Sequence, residues 1–420
     1  MATIKPFAAL RPSPRLAPQI CELPYDVLSL DEARGFAAGN PLSFFHVSRP
    51  EVDLPPGTDI HSPEVYEKGR DNFQKLVSQG ALQQDSQPCF YLYRQIMGQH
   101  SQTGVVAAAS CEEYQNGIIK KHELTRPDKE DDRVCHIEAL NAQTGPVFLA
   151  HRGGGAVDKF IAKKVSRKPE IDFTAADGVR HSSWTVSDTD EIKFIEQAFA
   201  GIQRLYIADG HHRSAAASRV FANRGGAGGS GYFLAVIFSH NQMQILPYNR
   251  ALKDLNGWTP DQLMEIIGAA FVVRPDASPL PACRHEFGFY MQGKWRTLAL
   301  REKYLEMDKP DENLKPESSR QMRRTPVENL DAMLLQEHIL KPVFGIDDPR
   351  TSDRIHFVGG IRGAAELEKL VNSGAYACAF SMFPTGMEEL MAVADAGEIM
   401  PPKSTWFEPK LRDGMFCHLI

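Results

Sequence analysis

The stretch LYIADGHHRSAAASRVF, Leu205 to Phe221, changes character at its centre. Leu205, Tyr206 and Ile207 form a short apolar run of the strand-forming kind, and Ser214 to Phe221 is alanine-rich and reads as a helix. Between the halves stand Asp209, Gly210, His211, His212 and Arg213. The first N–H groups of a helix lack intrahelical acceptors, and with the partial positive charge of the helix end they favour an anion. Gly210 permits a tight turn and close approach to the backbone. Arg213 offers a planar fork for phosphate oxygens, and the histidines can donate further bonds. Asp209 repels a phosphate unless it holds a cation or takes a proton from a hydroxyl. Anion clamps beside a carboxylate that faces magnesium are the parts of phosphoryl transfer. Two other readings stand beside this one. Asp209 can simply cap the helix, or His211 and His212 can bind a metal, although adjacent residues lack the i, i+4 spacing that sets two ligands on one helix face.

A second polar cluster, IIKKHELTRPDKEDDRVCHIEAL, follows the small-residue strand GVVAAAS and becomes helical near Pro127. Mixed charge on a surface helix accounts for Glu130 to Asp132. HELT sits where a strand delivers side chains into a cleft, so Glu123 is the candidate general base, with His122 and Thr125 beside the substrate. Lys129 and Arg133 are candidate anion ligands. A third cluster, MPPKSTWFEPKL, fixes the chain with two prolines ahead of Lys403, Ser404 and Thr405. It lacks the glycine frame of a P-loop but offers an ammonium and two hydroxyls to close over phosphates. Tyr25 and Asp26 in LPYDVL, and His46 in FFHVSRP, are further candidates to line the substrate cleft or pack as ordinary loops.

The chain has 420 residues, enough for two or three domains, and 42% of them are hydrophobic. Its formal charge of -6 argues against a duplex-DNA surface, so no nucleic-acid partner is expected. Seven scattered cysteines without a CxxC pair suggest reduced thiols and a cytoplasmic protein. No run approaches the roughly 20 apolar residues of a membrane span, so no membrane partner is expected. The number of subunits is not legible.

Strand and helix signals alternate, which makes the class α+β. CFYLYRQIMGQHSQTGVVAAAS and FGFYMQGKWRTLAL read as hairpins, and Asp177-Gly178 as a third turn. Thr259, Pro260 and Gln262 form a capping box ahead of a helix, and DTDEIKFIEQAFAGI and TPVENLDAMLLQEHIL show helical spacing. The expected division is a first domain over 1–250 and a second α+β domain over 251–420, whose C-terminal segment returns to the site.

Taken together, IKPFAALRP, LPYDVL, HVSRP, KKHELT, DGVRHSSW, YIADGHHRSAAA, ILPYNR and MPPKSTWFEPKL resemble the prokaryotic family known as domain of unknown function 1015, across nearly the whole chain. YIADGHHRSAAA by itself resembles the strand–turn–helix box of the ParB/sulfiredoxin-like nucleotide-binding fold, as in ParB-type CTPases and free-serine kinases. That resemblance implies phosphates held by Gly210, His211, His212 and Arg213, Asp209 facing magnesium or substrate, and an upstream glutamate, here Glu123, as base. It implies a kinase transferring a phosphoryl group from ATP or ADP, with Mg²⁺, to a hydroxyl compound such as L-serine. The alternatives are a ParB-like nucleotide switch, a non-catalytic nucleotide sensor and a metal-dependent hydrolase.

Overall fold

The computed structural model describes residues 1–305 and 324–420. It is a mixed α+β structure of two compact units, one comprising residues 1–244 and 409–420 and the other 245–408.

The first unit is built on a nine-stranded sheet. Its strands are β1 (Ile4–Lys5), β2 (Phe90–Met97), β3 (His100–Ser110), β4 (Ile119–Lys120), β5 (Val147–His151), β6 (Ile171–Thr174), β7 (Arg180–Val186), β8 (Leu205–Asp209) and β9 (Tyr232–Ser239). They run in the order β4-β8-β5-β9-β3-β2-β7-β6, with β1 also on β3. The expected hairpins β2/β3 and β6/β7 form as antiparallel pairs, and β8 pairs parallel to β4 and antiparallel to β5. The register of β8 on β5 slips between Ile207 and Asp209, an irregularity of the kind that re-aims a strand's last side chain. Val105, Ala107, Ala235 and Ile237 belong to one buried core, and Val106, Ala108, Val236 and Phe238 between and beside them are buried too, so the central strands are apolar along their length rather than alternating.

Two helices carry the polar clusters: α1 (Pro127–Leu140) and α2 (His211–Arg224). Ala216 and Val220 of α2 meet Ile137 of α1 in a small buried cluster, and the alanines let the helices approach closely. Arg224 closes the last turn of α2, and Gly225 ends it in the left-handed conformation.

The second unit holds a six-stranded sheet among the described residues, in the order Phe271–Pro275, Lys294–Leu300, Glu286–Met291, Cys378–Met382, Tyr248–Leu252, Ile355–Gly359. The helix Pro260–Ala270 starts with the expected capping box of Thr259 and Gln262. Two expectations need correction here. The units divide after Gln244, not Arg250, because Tyr248–Leu252 is already an interior strand of the second sheet. The helix expected over Thr325–Leu340 begins only at Asp331 and widens over Gln336–Leu340, since Thr325 caps a separate turn by accepting from the Glu328 N–H. Among the described residues no helix is long and apolar enough to cross a membrane, and all seven cysteines are free thiols.

The second domain was expected to run to residue 420, but residues 409–420 complete the first unit. Glu22 bridges to Asp413, Leu10 to Cys417, and His418–Leu419 pair with Gln143 and Ala142. Met415, Phe416 and Cys417 have no exposed surface. The Phe416 ring packs on Tyr91 and Tyr93 at centroid distances of 5.1 and 5.9 Å. Phe416→Ala should therefore destabilise the first unit by about 3–5 kcal/mol, the range for emptying a buried phenylalanine site. A denaturant-unfolding midpoint equal to wild type would show that the returning segment is only laid on the surface.

Candidate functional site

Asp209 ends β8 and Gly210 turns the chain into α2 at φ +96, in the left-handed region. A Cβ there would come within 3.2 Å of the Arg213 guanidinium, so glycine serves both the turn and the space beside it. No side chain caps the helix start. The bland expectation, Asp209 as helix cap, is thus not what the structure shows. Its Oδ2 accepts from Lys410 Nζ at 2.9 Å, and its Oδ1 lies 3.7 Å from Arg213. Burial by itself raises the Asp209 pKa. The charges of Lys410 and Arg213, the Lys410 hydrogen bond and His211 outweigh burial and hold the carboxyl well below the usual range. Lys410 is fixed in turn by Gln95, whose side-chain amide donates to the Lys410 carbonyl at 2.8 Å.

On the other side of the turn stand two imidazoles. β4 lies beside β8, and the chain leaving it brings HELT against the DGHHR turn. His122 and His211 meet edge to face with ring centroids 4.5 Å apart. Both are buried, and His122 Nδ1 and His211 Nε2 have no hydrogen-bond partner among the described residues. Glu123 is half exposed, with Oε2 3.7 Å from His211 Nδ1. Burial pushes the His122 imidazole down to about 4, against the pull of Asp209 and the Ile207 backbone. Burial and then His122 push His211 well below its ordinary value, with Asp209 opposing. Both rings are therefore neutral at pH 7. One ligand atom from each of His122, Glu123 and His211 falls within 4.8 Å of the others.

The remaining candidates separate into groups. His212 does not join His211 in a ligand pair: its Nε2 accepts from the Arg126 N–H at 3.1 Å, tying α2 to the segment before α1. Lys129 contributes to the electrostatic surroundings of His212. Thr125 hydroxyl donates to Glu130, a local link at the start of α1 rather than an approach to substrate. Arg133 is held by Asp132 at 2.7 Å, and its guanidinium lies 3.9 Å over the Tyr25 ring. Tyr25, Arg133, Arg213, Gly145 and Asp413 line a small cavity, and Arg213 also donates to the Pro146 carbonyl. Asp26 is exposed and faces Arg213 and His212 electrostatically. His46 is committed elsewhere, with Nδ1 2.8 Å from Asp53 and Nε2 3.1 Å from the Asn40 carbonyl, so both ring nitrogens are used in holding the fold. Lys403, Ser404 and Thr405 belong to the second unit, where Ser404 donates to the Pro401 carbonyl at 2.7 Å.

Sequence reasoning missed Lys410 and Asp413. Both lie in the segment that closes the first unit, and Lys410 stands inside the FEPKL run that was read only for Lys403 to Thr405. Burial raises the Asp413 pKa to about 7, with Arg213 opposing, and its Oδ1 has no partner among the described residues. A Cβ at Gly145 would come 2.8 Å from Asp413 Oδ1 and 3.3 Å from the Arg213 side chain, so a larger residue there would have to shift Asp413.

The profile of a family described as protein of unknown function (DUF1015) matches residues 4–333. Comparison with curated proteins returns no match. Similar solved structures include a free serine kinase in complex with AMP, at 14% identity and TM-score 0.35, covering 72% of this chain and 86% of that one. A conserved hypothetical protein from Pyrococcus furiosus is similar at 14% identity and TM-score 0.32, covering 73% and 93%. SbnI with a C-terminal truncation, from Staphylococcus aureus, is similar at 10% identity and TM-score 0.37, covering 73% and 85%.

The Asp209–Lys410 pair predicts a pH signature. The folded pKa of Asp209 lies below its unfolded value of about 3.8, so the unfolded state binds the proton more readily as pH falls. The pair's stabilisation is complete above that unfolded value and is lost as acid titrates Asp209 in the folded protein. Lys410→Met should cost about 1.5–3 kcal/mol at neutral pH, the range for a hydrogen bond to a charged group. The difference from wild type should shrink on acidification below the unfolded pKa. A gap in unfolding free energy that is the same at neutral and acid pH would show that the pair contributes nothing.

Proposed function

The chain belongs to the DUF1015 family of proteins of unknown function, and we propose that its first unit is a phosphotransferase that moves a phosphoryl group from a nucleotide to a small hydroxyl compound such as L-serine. The observation that carries this reading is the ionised Asp209 held between Lys410 and Arg213 at the N-terminus of a fourteen-residue helix. Cations and helix N–H groups gathered at one point suit the charge that spreads over a transferred phosphoryl group. The local resemblance of YIADGHHRSAAA to the nucleotide box of free-serine kinases supports the same reading. In it the turn is a ParB/sulfiredoxin-like box that takes the phosphates of ATP or ADP.

Asp209 engaged by Lys410 does not offer an open carboxylate to magnesium, so that expectation is revised: Asp209 positions the two cations. Magnesium, in this reading, arrives on the nucleotide phosphates, where it keeps mostly phosphate and water ligands. Lys410 and Arg213 lie against the transferred group. Glu123, half exposed at the mouth, takes the proton of the substrate hydroxyl. The hydroxyl oxygen bonds to the terminal phosphorus as the bond to the leaving nucleotide oxygen breaks.

A nucleotide panel read by melting temperature, followed by a phosphotransfer screen of amino acids and polyols, tests the reading. With a substrate identified, Glu123→Gln should lower turnover by roughly 10²–10⁴. Nucleotide affinity should remain near wild type, because the amide keeps the side chain's shape. No melting shift with any nucleotide would overturn the proposal, and a wild-type rate for Glu123→Gln would place the base elsewhere.

A further inference from the structure

We infer that His122, Glu123 and His211 form a binding site for one divalent transition-metal ion of the zinc type, a site separate from the magnesium that travels with a nucleotide. Two imidazoles and one carboxylate are the donor set of three-ligand zinc sites that keep a fourth position open. Imidazole nitrogen favours zinc, cobalt, nickel or iron over magnesium, which takes oxygen ligands.

Two observations converge. His122 and His211 each have a buried nitrogen with no hydrogen-bond partner among the described residues. Buried polar atoms are nearly always satisfied, so two orphaned nitrogens on touching rings point to a ligand. The rings come from distant parts of the chain, one after β4 and one at the start of α2, and the sheet holds them edge to face at 4.5 Å.

One ligand atom from each residue already lies within 4.8 Å of the others. Ligand atoms around a tetrahedral ion with bonds of about 2.0–2.2 Å stand roughly 3.3–3.6 Å apart. The site must therefore tighten by little more than an ångström. The rings are packed, and Glu123, the half-exposed member, has its Oε2 3.7 Å from His211 Nδ1. His122 has a second-ring-nitrogen contact with the Ile207 backbone, the kind of outer hydrogen bond that fixes a metal ligand's tautomer. His212 takes no part, since it is bonded to the Arg126 backbone.

The inference shares Glu123 with the phosphotransfer reading but is tested apart from it, because the experiment measures binding of the bare ion. The full chain is stripped with chelator and titrated calorimetrically with ZnCl₂, with MgCl₂ as a parallel arm and no nucleotide present. CoCl₂ then serves as a spectroscopic probe. One zinc per chain is expected, with no magnesium uptake, and cobalt should give the intense visible bands of a four-coordinate site. His122→Gln and His211→Gln, checked for folding by circular dichroism, should each weaken zinc by more than the roughly 10–100-fold typical of losing an outer hydrogen-bond partner. Glu123→Gln lies at the surface and leaves the fold intact, so a weakened affinity there also supports the site if a histidine variant fails to fold. His212→Ala should bind zinc as wild type does. Absence of stoichiometric zinc binding, or an affinity that falls with His212→Ala and not with Glu123→Gln, would overturn the assignment.

Discussion

Asp209 carries a charge that is mostly withdrawn from water, and a protein interior tolerates such a charge only beside partners. One partner is local: Arg213 lies one helical turn on, at the i, i+4 position. The other, Lys410, is 201 residues away in sequence and reaches Asp209 only because the end of the chain returns to the first unit. The bridges to Leu10, Glu22 and Gln143 that seat this segment therefore also determine the electrostatics of the turn. The same segment brings Asp413 to the cavity that Arg213 lines, so two carboxylates whose pKa values move in opposite directions act on one guanidinium. Asp209 has an ammonium at hydrogen-bond distance and stays ionised. Asp413 lacks one, and its burial wins.

What the sequence made legible follows from the range of each signal. The strand, turn and helix of Leu205 to Phe221, the capping box at Thr259 and the hairpin arms around residues 97–100 are decided by residues within a few positions, and they appear where expected. His122 beside His211 depends on β4 pairing with β8, which no local pattern announces. Lys410 depends on the whole second unit being spanned before the chain comes back. His46 illustrates the opposite error. A histidine near a strand end looks available in sequence, yet Asp53 and the Asn40 carbonyl consume both of its nitrogens. His212 was grouped with His211 because they are neighbours in the chain. At the first turn of a helix, consecutive side chains diverge by about 100°, and the two rings find different partners.

The turn thus has two chemically distinct flanks. Lys410, Arg213 and Arg133 make one flank cationic, with Asp209 and Asp132 fixing their positions. His122 and His211 make the other neutral and nitrogen-rich, since burial removes their protons. A phosphate has reason to seek the first flank, where donors are charged, and none to seek the second. A soft cation has the converse preference, because Lys410 and Arg213 repel it while unprotonated imidazoles accept it. Asp209 stands between the flanks and reduces the repulsion that each occupant would feel from the other.

Glu123 is the residue on which the two proposals meet. It sits at the mouth, half exposed, within reach of His211, and a cation bound at one carboxylate oxygen lowers the basicity of the other. As a metal ligand its basicity is spent on the ion, and a substrate hydroxyl must then lose its proton to something else. As a base it acts best uncoordinated, and the two imidazoles alone make a weaker metal site. Occupancy of the nitrogen-rich flank therefore weakens Glu123 as a base. A protein with both properties would have its turnover lowered by the free transition metal, through the one carboxylate that both uses share.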